Sequence, residues 1–181
     1  MPLFDDPYPL RPTTVLGIDP GAEGGISVLI NGAVHKTTKV LTTPADIWFW
    51  LGEFMPTIYP YPVRAYIEQV GGFMAGNEGG EQKNIASGHT MFNFGKGAGY
   101  LEMALVAAAI PYELVPPQRW QKGLQIVGKD KSETKTQWKN RLKSKAQQLF
   151  PAYANSITLA VADAILIAEY GRRKLAGIVH A

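Results

Sequence analysis

The chain of 181 residues is 46% apolar and 18% charged, which is long and greasy enough to bury a core and excludes a disordered or fibrous protein. It has no cysteine, so a disulfide framework, a thiolate nucleophile and a cysteine-based zinc site are excluded as well. The formal net charge of +3 divides unevenly: residues 1–110 carry six Lys/Arg against ten Asp/Glu, and residues 111–181 carry twelve against five.

Residues 1–12 are acidic and broken by proline, unlike a signal peptide, and are expected to be a flexible leader. No apolar run reaches the roughly 18 residues of a membrane span, so a cytoplasmic chain without membrane contact is expected. Thr13–Asp19 reads as a first strand stopped by Pro20-Gly21. Ile26–Ile30 reads as a second, and Asn31-Gly32 is a hairpin signal leading into a third over Val34–Leu41. Thr43 followed by Pro44 opens a helix with Ile47, Trp48, Leu51 and Phe54 turned inward. Val63–Val70 reads as a buried strand, and residues 71–83, with five glycines, as a mobile loop of the functional kind. An alanine-rich helix is predicted over about Asn93–Ala109 and a short strand over Tyr112–Val115. A further helix over Ser132–Phe150 carries Trp138, Leu142, Ala146 and Leu149 on one stripe. The last helix, about Ser156–Lys174, is capped by Asn155 or Ser156. The order βββαβαβαα predicts one mixed α/β domain spanning residues 1–181.

Three carboxylates stand where the pattern does not want them. Asp19 closes the first strand beside a tight turn, where it can hold a cation or simply make the turn. Glu68 lies in Ala65-Tyr66-Ile67-Glu68-Gln69-Val70, which reads as a central strand. An unpaired buried carboxylate there costs several kcal/mol, so it needs a partner or an edge facing water. Asp163 is the sharpest anomaly, because Ile157–Ala168 is apolar all round except for Thr158 and this acid. Three such acids suit a divalent-metal site of oxygen ligands. Gly95-Lys96-Gly97-Ala98-Gly99 has neither Walker nor dinucleotide spacing, and His35, His89 and His180 are too scattered for a ligand cluster.

Between Arg119 and Lys145 nine Lys/Arg face only Asp130 and Glu133, and Lys131, Lys135, Lys139 and Lys143 recur every fourth residue. Such a ridge fits a phosphate-tracking surface and fits a solvated helix face equally well.

Taken together, these residues resemble the RuvC-type Holliday-junction resolvases, in particular the phage-encoded branch of that ribonuclease H-like family. The resemblance rests on Gly17-Ile18-Asp19-Pro20-Gly21 with Gly24-Gly25, Ile67-Glu68-Gln69-Val70, Phe94–Gly99, Val115-Pro116-Pro117-Gln118-Arg119-Trp120 and Ala162–Tyr170, in that order. It implies a five-stranded mixed sheet flanked by helices, a homodimer, and magnesium- or manganese-dependent nicking of two strands across a four-way DNA junction. It also implies Asp19, Glu68 and Asp163 as catalytic metal-binding acids for two ions per site. The family has a further acid or His about one turn before Asp163, and Ala160 stands there; Asn155 or Glu169 could compensate, Glu169 less well. The glycine loop matches the segment that enters the junction, with Phe73 and Met74 as the nearest wedge candidates. Lys96, Arg119, Lys122, Lys131, Lys135, Lys139 and Lys143 complete the expected DNA contacts. The Ala160 departure leaves open a structure-specific DNA-binding protein with weak or lost nuclease activity. A sugar-kinase-like phosphotransferase shares the Gly-Ile-Asp-x-Gly turn but needs two domains, for which 181 residues leave no room.

Overall fold

Alternation in the first strand decides which way the sheet faces. The computed structural model describes residues 13–59, 61–69 and 88–179. Strands β1 (Thr14–Asp19), β2 (Gly25–Ile30) and β3 (Ala33–Lys39) form an antiparallel meander. Asn31 and Gly32 turn the β2–β3 hairpin with positive φ of 50° and 80°, the pair of values that matches the twist of the flanking strands. Strands β4 (Val63–Glu68) and β5 (Tyr112–Val115) run parallel to β1, giving the order β3-β2-β1-β4-β5. This is the mixed five-stranded sheet expected from the sequence.

Helices α1 (Pro44–Gly52) and α2 (Gly88–Ala107) cover one face, where Leu16, Ile18, Ile26, Val28, Ala65 and Ile67 meet Ile47, Leu51, Leu101 and Leu105. Helices α3 (Pro117–Gly123), α4 (Lys135–Leu149) and α5 (Leu159–Leu175) cover the other, against Val15, Leu29 and Tyr66. A 3-10 turn over Pro151–Ser156 links α4 to α5. Among the described residues no helix is long and apolar enough to cross a membrane.

Several expectations need correction. Trp48 points outward at 37% exposure, because Ile47, Leu51 and Phe54 already fill the inward stripe of α1 and its end. Helix α2 is described from Gly88, so it extends further toward the N-terminus than the expected Asn93, and Gly95 and Gly99 within it have open space around both. Thr134 caps α4 through a reciprocal box with Gln137, so Lys131 precedes the helix and lies off the expected ridge. Thr158, not Asn155 or Ser156, is the N-cap of α5, since Pro151 starts a separate turn. Helix α3 was not anticipated at all. The glycine-rich segment 71–83, with Phe73 and Met74, the leader 1–12 and His180 lie outside the described residues.

Candidate active site

In β1 the period of two that sends Val15 toward α5 sends Gly17 and Asp19 the same way; in β4 it does so for Tyr66 and Glu68. Strands β1 and β4 are parallel neighbours, with Ile18 beside Ile67, so Asp19 and Glu68 end up together at their carboxyl ends. Helix α5 lies across this face. A Cβ at Gly17 would collide with the backbone of Ala164 and Ala168, so glycine is what lets the helix seat. Ser27 Oγ donates to the Ala164 carbonyl at 2.8 Å and pins the helix next to Asp163. Residues Val161–Gly171 are all buried as a result.

Each carboxylate is held in its own way. Asp19 Oδ1 accepts the Gly21 N–H at 2.9 Å, which leaves Oδ2 turned to the cluster. A Cβ at Gly24 would crowd the Asp19 carboxyl carbon at 2.7 Å, so the second glycine of the turn keeps that carboxylate clear. Glu68 Oε1 accepts the indole N–H of Trp120 at 3.1 Å, and Trp120 is fully buried on α3. Asp163 Oδ2 accepts from Lys139 Nζ at 2.6 Å, and the same ammonium lies 3.7 Å from Asp19 Oδ2. Asp163 Oδ1 is buried with no hydrogen-bond partner.

The electrostatics record this crowding. Burial, with Asp19 and then Asp163 nearby, pushes the Glu68 carboxyl up to about 7 against the pull of the Trp120 hydrogen bond. Burial also raises Asp163 above the ordinary carboxylate range, although Lys139 opposes it. Burial works to lower the Lys139 ammonium, but Asp163 first and then Asp19 and Glu68 leave it raised.

Among the described residues no three acidic or histidine side chains stand ready to surround an ion. Carboxylate oxygens are nevertheless the kind of donor a hard divalent cation prefers. Lys139 bridges Asp163 and Asp19, Glu68 is close enough to both acids to feel their charge, and one buried Asp163 oxygen lacks any partner.

The expected basic contacts separate. Lys96, Arg119, Lys122, Lys131 and Lys135 are exposed; Lys96 lies over the rings of Phe92 and Tyr100, and Lys135 pairs with exposed Glu23 at 3.2 Å. Lys143 is half-buried. Lys139 is not on a solvated ridge: it reaches into the carboxylates, because α4 packs on α5 at this level. Asn155 is exposed on the 3-10 turn, and Glu169 is bound by Arg172 and Arg173, so neither is tied into the cluster by any contact seen here. The role of Trp120 was missed; a tryptophan three residues into a proline-started helix was its one signal.

The fold is of the ribonuclease H-like class, a five-stranded mixed sheet with helices on both faces. It is similar to RuvC from Thermus thermophilus. A structure of that protein with a Holliday junction substrate matches with a TM-score of 0.59 at 16% identity over 91% of this chain and 97% of that one. A second structure of T. thermophilus RuvC gives 0.57 at 17% identity with the same coverage. No family model and no curated protein matches the sequence.

Proposed function

We propose that the chain is a single nuclease domain of the phage-like RuvC kind that resolves four-way DNA junctions by metal-dependent phosphodiester hydrolysis. In this reading it acts as a homodimer in the cytoplasm of a bacterial or phage-infected cell. The observation that carries it is the convergence of Asp19, Glu68 and Asp163 from β1, β4 and α5 on one spot. The likeness to a RuvC structure that contains a junction supports the choice of substrate.

Asp19, Glu68 and Asp163 would hold magnesium or manganese, which when bound supplies charge to orient water and to offset the phosphate's negative charge. The Gly21 N–H holds one oxygen of Asp19, and the Trp120 indole N–H orients the Glu68 carboxyl and favours its ionised form. The two-ion arrangement implied by the resemblance needs a further ligand near Asp163, and the methyl group of Ala160 does not provide one. The exposed cations Lys96, Arg119, Lys122, Lys131 and Lys135 would contact phosphates, with Phe73 and Met74 as candidates for the junction centre.

A labelled four-way junction incubated with magnesium or manganese tests the reading. Wild type is expected to cut two strands, and Glu68→Gln to bind the junction with near-unchanged affinity while cutting at no detectable rate. Equal cutting by both proteins rules this site out. Ala160 and the Lys139 pairing favour a second reading, a junction-binding protein with little nuclease activity; tight binding without cutting in either metal would select it.

A further inference from the structure

Arg141 is one of the nine cations between Arg119 and Lys145, yet its side chain turns back on the protein. It lies on α4, over the Trp138 ring at 4.4 Å, and clasps the loop that precedes the helix. Nε and Nη2 donate to the two Glu133 carboxylate oxygens at 3.0 and 2.8 Å. Nη1 donates to the Val127 carbonyl at 2.8 Å, and Nη2 also donates to the Gly128 carbonyl at 3.1 Å. Two successive carbonyls are thus drawn toward one guanidinium. In a trans peptide the N–H points opposite to the carbonyl of the same unit, so the N–H groups of Gly128 and Lys129 are turned away from Arg141 together. Neither donates to any group among the described residues. A Cβ at Gly128 would meet nothing within 4 Å, and its φ is not left-handed, so the fold has no need of glycine there. Lys129 and Lys131 are exposed on either side of Asp130, whose Oδ1 accepts from the Ser132 N–H at 2.8 Å and the Ser132 hydroxyl at 2.6 Å.

We propose that Gly128 and Lys129 form a backbone cradle for one phosphate of a bound DNA strand, with Arg141 as the positioning residue that holds it open. The inference rests on the DNA-binding part of the proposed function and uses none of the three carboxylates. Successive N–H groups turned the same way make a donor pair suited to the oxygens of an anion. The bare Gly128 lets a phosphate come close to the backbone. Lys129 and Lys131 bring positive charge to the same loop, while the Ser132 contacts turn the Asp130 oxygen back onto the chain. Arg141 itself does not meet the phosphate, because its charge is matched by Glu133 and its donors face the loop's carbonyls. A loop ordered before binding loses less freedom on binding, so the clasp raises affinity without adding a contact to DNA.

Filter binding of the metal-free full-length chain to a labelled four-way junction and to plain duplex, across a salt series, tests the cradle without any cleavage. Gly128→Val loses no charge and adds its side chain in open space, so its urea midpoint should match wild type. Its affinity for both DNAs should fall about tenfold, the size of losing a hydrogen bond to a charged group. Its salt slope should stay within about 0.5 of wild type, because no phosphate-neutralising cation is removed. Lys129→Ala/Lys131→Ala should instead flatten the slope by up to about 2. Arg141→Lys, also of unchanged charge, should behave like Gly128→Val and in addition be cut faster by trypsin after Lys129 and Lys131. In nitrogen-15 spectra the Gly128 and Lys129 amide signals should move with a short duplex and stay in place with inorganic phosphate at equal phosphate concentration and ionic strength. Wild-type affinity in folded Gly128→Val overturns this inference alone, and an unchanged slope in the lysine pair does the same. Movement of the two signals with inorganic phosphate alone makes the loop a free-anion site and overturns its assignment to DNA. A wild-type chain that binds neither junction nor duplex overturns the proposed function and this inference with it.

Discussion

Asp163 and Glu169 sit six residues apart on one buried helix, yet their surroundings act in opposite directions. Burial works to raise Glu169, but hydrogen bonds from Arg172 and Arg173 at 2.7 Å outweigh it and leave its pKa lowered. Asp163 has one lysine and an oxygen with no partner, and its pKa stays raised. A buried acid that its own helix neutralises is structural; one left short of positive charge points to a ligand. Glu68 carries the clearest consequence. Below about pH 4.5, its ordinary value, it is protonated in folded and unfolded chains alike and has no effect on stability. As pH rises from there toward 7, the unfolded chain ionises while the folded one stays protonated, so folding weakens. Above about 7 the whole cost is present, at most about 3 kcal/mol. Urea unfolding of the metal-free protein is therefore expected to show falling stability from pH 5 to pH 8, with a shallower fall in Glu68→Gln, where only the raised Asp163 is left to contribute. Parallel curves for the two proteins would mean that Glu68 is not in this environment. The three acids were legible in the sequence because each interrupts an apolar strand or helix. Trp120 and the true position of Lys139 were not, since both depend on how α3 and α4 pack, and no local spacing encodes that.

At the scale of elements, the site depends on a trough of small residues under α5. Gly17, Gly25 and Ser27 lie on the α5 side of β1 and β2, and a Cβ at Gly25 would come within 2.8 Å of the Ala160 carbonyl. Gly17→Ala must lift α5 or bend β1, at a cost of about 1–3 kcal/mol for an overpacked core position. Because Asp163 rides on that helix, the same variant is expected to bind manganese more weakly by at least tenfold while remaining folded. Urea titration and calorimetry on one preparation check both, and an unchanged ion affinity would mean that α5 is not what places Asp163. Elements with strong punctuation were readable: Pro20-Gly21, Asn31-Gly32 and Thr43-Pro44 set the bounds of β1, the hairpin and α1 closely. Helix α3 was hidden because seven residues opening on Pro116-Pro117 look like a loop, and only the burial of Trp120 makes them a helix. The ends of α4 and α5 shifted for a similar reason: a capping box at Thr134 and a proline-started turn at Pro151 override the periodicity on either side.

At the scale of the whole molecule, the sequence's charge division becomes a division of labour. The acidic strand ends of the first part and Asp163 make the cluster. The basic second part gives it Lys139 and leaves Arg119, Lys122, Lys131 and Lys135 exposed. The even four-residue spacing of lysines was a misleading signal, because it joined residues that now serve different ends. That difference is measurable through salt. Each phosphate that a cation neutralises releases counterion and contributes about 0.9 to the slope of log affinity against log salt on duplex DNA. Lys122→Ala/Lys135→Ala is expected to weaken binding to junctions and plain duplex alike and to flatten that slope by up to about 2, if both lysines meet phosphate. Lys139→Met should leave the slope within one phosphate's worth of wild type, because its ammonium is already engaged by Asp163 and Asp19. Filter binding across a salt series separates the two. If the exposed pair leaves the slope untouched while Lys139→Met flattens it, DNA is held chiefly at the carboxylate cleft, and the outer lysines are a solvated face.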